Sequence, residues 1–112
     1  MNNIHYSYEA YTDLADIKKY ITEELASPKA ALNTITKITK KIRLLENHAE
    51  IGALLSSIID IETDYRYLVC GNYLSFYRID NNNIHIIRVL YGKRDYISVL
   101  FDEDQIVESD NF

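Results

Sequence analysis

The sequence predicts an α+β domain: an N-terminal strand, an antiparallel helical hairpin, then a three-stranded antiparallel meander, with the helices packed on one face of the sheet. Two patterns and their punctuation carry this prediction. Apolar residues recur every three or four positions through the first half of the chain, and after Tyr65 the period becomes two. Ser27-Pro28, Gly71-Asn72 and Asp80-Asn81-Asn82-Asn83 fall where such elements must turn. With 112 residues, 47% of them hydrophobic and 26% charged, the chain has the size and make-up of one folded domain. That domain is expected over residues 1–101, with an acidic, flexible tail over 102–112.

Asn3 to Ser7 alternates polar residues with Ile4 and Tyr6 and reads as the first strand. From about Glu9, Leu14, Ile17, Ile21 and Leu25 mark the buried face of a helix, and Asp13, Asp16, Lys19 and Glu23 its outer face. Proline cannot continue a helix but suits the first turn of another, and Ser27 before it offers a hydroxyl to an orphan N–H. The second helix therefore begins there, burying Ala31, Ile35, Ile38, Ile42 and Leu45 and exposing Lys37, Lys40, Lys41 and Arg43. A short link makes the two helices antiparallel.

Residues 47–63 are apolar without a clean period and read as a connector with a helical turn at most. Tyr65, Tyr67 and Val69 then alternate with Arg66 and Leu68. Gly71-Asn72 fits a type II′ hairpin turn, glycine supplying the positive φ. Tyr73, Ser75, Tyr77 and Ile79 alternate with Leu74, Phe76 and Arg78 in the next strand, and the asparagine run turns the chain again. Ile84 to Tyr91 is apolar nearly throughout, as suits a central strand buried on both sides. The remaining face of the sheet is expected to stay partly open.

The net charge is −5, but its distribution is uneven. Residues 66–101 hold five of the twelve Lys and Arg and only two of the seventeen acids, whereas residues 102–112 hold five acids and no cation. The meander is thus locally cationic in an acidic protein, which admits an anionic partner but argues against strong nonspecific nucleic-acid binding. No apolar run is long enough for a membrane span, and Met1-Asn2-Asn3 leads directly into structure, so a cytoplasmic protein without a membrane partner is expected. Cys70 is alone and the three histidines are scattered, so neither a disulfide, a metal site nor another cofactor is expected.

No Gly-rich phosphate loop, His-Glu-x-x-His, Cys-x-x-Cys or nucleophile elbow is present. The chemistry-bearing residues are instead Arg66, Arg78, His85, Arg88, Lys93 and Arg94, interleaved with Tyr65, Tyr67, Tyr73, Tyr77, Tyr91 and Tyr96. Cations beside aromatic rings can hold phosphates and stack bases. The same pattern also describes an ordinary solvent-facing sheet, rich in strand-favouring tyrosine. The sharpest stretch is Gly92-Lys93-Arg94-Asp95, where two cations follow the end of a strand and can stabilise a phosphate or its transition state.

Three stretches give the chain a family likeness: Tyr11 to Leu25, Gly71-Asn72-Tyr73-Leu74-Ser75-Phe76-Tyr77-Arg78-Ile79, and Ile87-Arg88-Val89-Leu90-Tyr91-Gly92-Lys93-Arg94-Asp95-Tyr96. With them the chain resembles the RelE/ParE superfamily of toxins from type II toxin-antitoxin, or plasmid stabilisation, modules. The resemblance covers residues 3–101 and implies a helical hairpin on a twisted antiparallel sheet. It also implies a growth-inhibiting toxin neutralised by a cognate antitoxin, and leaves a homodimer open. RelE-like members cleave mRNA on the ribosome, whereas ParE-like members poison DNA gyrase, so whether this chain is an enzyme depends on the branch.

The resemblance places Arg94 on the arginine that stabilises the scissile phosphate in the cleaving branch. Counted without gaps, its second catalytic arginine falls at Leu74, its paired lysines near Tyr65 and Tyr67, and its late tyrosine at Leu100. Arg66, Tyr96 or His85 would have to substitute, since one cation cannot serve as base, acid and charge stabiliser. The resemblance therefore implies Arg94, Arg66 and Tyr96 as catalytic candidates and Lys93, Arg88, Arg78 and Tyr91 as substrate-binding ones. It favours the ParE-like branch, with ribosome-dependent endoribonuclease activity or an attenuated, antitoxin-binding family member as alternatives.

Overall fold

In the computed structural model, residues 1–101 are described, and the acidic tail expected over 102–112 lies outside the described residues. Strand β1 (Asn3–Tyr6) leads into helix α1 (Tyr8–Glu24), and α2 (Pro28–Arg43) follows. Both helices start as local chemistry dictates. The Ser7 hydroxyl accepts from the Ala10 N–H at 2.9 Å and the Ser27 hydroxyl from the Ala30 N–H at 3.2 Å, with Pro28 in the first turn of α2. The link between the helices turns through Ala26, whose φ of 49° is left-handed.

After α2 come a 3-10 turn (Leu44–Glu46), the short strand β2 (Ala53–Leu54) and a second 3-10 turn (Leu55–Ser57). The meander is β3 (Arg66–Cys70), β4 (Tyr73–Asp80) and β5 (Asn83–Tyr91), and helix α3 (Tyr96–Phe101) ends the described chain. Gly71 has the positive φ, 58°, that its hairpin turn needs, and Asn81 turns the next at 54°. The five strands run in the order β1-β5-β4-β3-β2, and β1 lies parallel to β5 while the other pairs are antiparallel.

The helices bury Ala10, Leu14, Ile38 and Ile42 against Leu68, Tyr77, Ile84, Ile86 and Val89. Because successive strand residues point to opposite faces, Phe76 and Leu90 look the other way. There they meet Leu55 in a second cluster, partly covered by Ile59 from the connector and by Tyr96, Val99 and Phe101 from α3. The face expected to stay partly open is covered over part of its area by the connector and by α3. Leu25, expected in the core, is 59% exposed, because the helix has ended and Ala26 turns the chain away. Asp13, expected on the outer face of α1, is buried at 6% exposure because a cation on the sheet meets it there.

Candidate functional site

A groove of about 540 Å³ opens where α1 crosses the end of the meander. One face of α1 supplies Asp13, Asp16, Ile17 and Tyr20, at the i, i+3, i+4 and i+7 positions that share one side of a helix. The β3–β4 turn supplies Asn72, the start of β4 Tyr73, the end of β5 Val89, Leu90 and Tyr91, and the turn beyond it Arg94. The Gly92 N–H donates to the Asn72 carbonyl at 2.7 Å, which clamps that turn onto the hairpin.

Tyr73 and Tyr91 are direct cross-strand partners, and their rings meet edge-on with centroids 5.9 Å apart. Burial raises the Tyr73 phenol above its ordinary pKa, and the neighbouring Tyr20 and Tyr91 hydroxyls push it the same way. Tyr20, Tyr73 and Tyr91 thus share the groove with the Arg94 guanidinium and the Asp16 carboxylate. Ile17 and Val89 give the groove an apolar part. Such a surface suits aromatic and aliphatic anchors with an acidic neighbour.

The deep end is held by Asp13. Its carboxylate accepts from Arg88 Nε and Nη2, each at 2.7 Å, and from the Val89 N–H at 2.9 Å. The hydrogen bond to Asp13 raises the Arg88 pKa, burial opposes that shift, and the negative charges of Asp13 and Glu9 reinforce it. At this place Tyr77 pairs with Ile86 and Phe76 with Arg88, leaving Ile87 as the extra residue of a β-bulge.

The sequence candidates are distributed unevenly over the structure. Arg94 and Tyr91 line the groove, and Lys93 is exposed in the same turn. The Arg88 side chain is engaged by Asp13. Arg66 donates to the Gly52 carbonyl at 2.9 Å and the Glu50 carbonyl at 3.3 Å. It stands level with Tyr77 and Ile86, five residues and roughly 16 Å along the sheet from Tyr91. Arg78 faces Asp64 at 3.7 Å on the surface. Tyr96 packs its ring against Phe76 at 5.3 Å within the second apolar cluster. His85 lies against its strand partner His5, the rings stacked at 5.4 Å.

Asp13, Asp16 and Tyr20 were not anticipated at a site. Their signal was their spacing on one helix face with Ile17, but nothing in sequence says which strand that face meets. Among the described residues, no three of His, Cys, Asp and Glu are placed to hold a metal ion. Among them too, no helix is long and apolar enough to cross a membrane.

The family model of the ParE toxin of the type II toxin-antitoxin system parDE matches residues 4–96. No curated protein matches the chain. A structure of the chromosomal ParDE system from P. aeruginosa superposes with a TM-score of 0.68 at 22% identity, over 81% of this chain and 96% of that one. The toxin-antitoxin complex RelBE2 from Mycobacterium tuberculosis is similar at a TM-score of 0.52 and 16% identity, over 80% and 96% of the two chains. YafQ from E. coli is similar at 0.54 and 16%, over 90% and 99%. At these identities the likeness is one of fold.

Proposed function

The chain belongs to the ParE toxin family of type II toxin-antitoxin systems, and from that premise we propose that it arrests growth by gripping DNA gyrase, and that a cognate antitoxin restrains it. The observation that carries the choice of target is the dispersal of the cations. Arg94 is the one cation among the residues lining the groove: Arg66 and Arg78 each face a protein oxygen elsewhere, and Arg88 is taken up by Asp13 at the deep end. Cleaving RNA needs a base, an acid and charge stabilisation converging on one phosphate. The groove offers phenols and an apolar part with a single guanidinium, which suits contact with a protein surface better than phosphoryl transfer.

The antitoxin part of the proposal draws on the toxin-antitoxin complexes with which the fold is shared. A partly disordered antitoxin segment would order as it covers the exposed apolar residues of the hairpin, Tyr20, Leu25 and Leu32.

Purified chain, assayed in parallel for inhibition of gyrase supercoiling and for cleavage of a defined mRNA on ribosomes by primer extension, tests the target. Supercoiling inhibition without A-site cuts is the expected result. Codon-phased cuts that vanish in an Arg66→Ala, Arg94→Ala double variant would replace the proposal with ribosome-dependent cleavage. Stable antitoxin binding with neither activity would mark an attenuated member.

A further inference from the structure

The charge pair at the deep end of the groove joins residues 75 positions apart. Asp13 has 6% and Arg88 22% of its side chain exposed, so both are largely withdrawn from water. Withdrawing two charges costs about as much as their attraction returns, and apolar residues of similar volume at such a place often leave stability unchanged or improve it. Apolar neighbours are at hand here in Leu14 and Val89. What an apolar pair lacks is direction. The guanidinium meets the carboxylate through two parallel hydrogen bonds, and the same carboxylate takes the Val89 N–H.

These three bonds fix the starting points of both groove walls. One wall continues from Asp13 along α1 to Ile17 and Tyr20, and the other from Val89 along β5 to Tyr91. The bulge beside Arg88 makes the register of β5 locally irregular, where an undirected contact would leave the wall's angle loosely set.

We infer that Asp13 and Arg88 are positioning residues for the groove, holding α1 and the end of β5 at the angle its protein target meets, and that their contribution is geometric rather than stabilising. This rests on the reading of the groove as the surface that engages the target. A displaced wall loses complementarity without losing the fold, as a site does when its supporting residues are loosened.

The test compares the parent chain with Asp13→Asn, Arg88→Met, which removes both charges together while the amide oxygen at position 13 still accepts the buried Val89 N–H. Potency is read as the expression level needed for growth arrest, which does not presuppose the target's identity, and folding by thermal melting. The double variant is expected to melt cooperatively near the parent temperature yet lose potency on the order of tenfold, somewhat less than the loss of one hot-spot contact. Arg88→Lys keeps the charge without the fork and is expected to fall between the two. The ring-proton resonances of Tyr20 and Tyr91 should move in the same order, a readout that a merely stabilising pair leaves still.

A double variant as potent as the parent, with those resonances unmoved, overturns the inference, and an unfolded one does so by assigning the pair to stability. Arg94→Ala, run alongside, separates the premises. Potency lost in Arg94→Ala but kept in the double variant sinks the positioning role alone, whereas potency kept in both sinks the reading of the groove.

Discussion

The Tyr77 hydroxyl sits against Gly52: it accepts the Gly52 N–H at 3.0 Å and donates to the Ala49 carbonyl at 2.7 Å. A Cβ built on residue 52 would lie 2.5 Å from that oxygen and 2.8 Å from the Tyr67 carbonyl. Glycine is required there because a fully buried ring and a strand backbone leave no room for a methyl group. The contact ties the connector to the sheet, and with it the Gly52 carbonyl that receives Arg66.

Gly52→Ala is accordingly expected to destabilise the domain by about 1–3 kcal/mol, the usual cost of overpacking. Urea denaturation checks this through a lower midpoint with an unchanged slope. A parent-like midpoint would mean that the connector yields freely.

Alkaline pH should loosen the same contact. Burial raises the Tyr77 phenol above its ordinary value, the Gly52 hydrogen bond and the charge of Arg66 partly opposing it, and burial raises Tyr6 and Tyr73 likewise. A group whose folded pKa is raised supports the fold below its unfolded value, about 10 for tyrosine, and that support is lost as pH climbs through the folded value. Melting temperature should therefore fall above about pH 10. Tyr77→Phe should lower stability at pH 7 and flatten the alkaline decline, which melting curves between the two pH ranges would reveal.

Ala26→Gly should stabilise the chain. Alanine in the left-handed region is strained by about 1–2 kcal/mol, and glycine relieves this while giving back about 0.4–1 kcal/mol in unfolded-state entropy. The net gain, roughly 0–1.6 kcal/mol and about 0.8 at the midpoints, should appear as a higher denaturation midpoint. A lower midpoint would show that the Ala26 methyl makes a compensating contact.

Arg94→Ala should leave the melting curve within about 0.5 kcal/mol of the parent, as is usual for an exposed side chain, while reducing growth arrest. A folded, fully toxic variant would remove Arg94 from the site. A melted one would assign it to structure.

What the sequence made legible was whatever local chemistry decides. Ser27-Pro28 placed the start of α2, Gly71 its hairpin turn, and the two periods the helices and the meander. Elements held by distant contacts left little trace. Strand β2 is two residues long and exists because Ala53 and Leu54 meet Tyr67 and Arg66, so it has no period to read. Asp13 looked like a solvated helix residue because its partners, Arg88 and the Val89 N–H, belong to a strand far along the chain. In the groove, Tyr91 and Arg94 stood out as a strand end and its cationic turn, whereas Tyr20 became a wall only through the crossing of α1 over β5.

The parallel pairing of β1 with β5 has a consequence for the order of assembly during synthesis. Ile4 lies beside Ile84 and Tyr6 beside Ile86, so the first strand has no docking edge until residues some eighty positions later are made. The helical hairpin depends on near neighbours and can form early, but sheet closure carries the loop entropy of a long-range contact and comes late. Nascent chains halted before Asn83 should accordingly leave the β1 amides open to hydrogen exchange, and release beyond Tyr91 should protect them; early protection would refute this order. A chain wired in this way has the groove between α1 and β5 completed only by the strand made last, so that surface cannot exist until residues 83–91 have been synthesised.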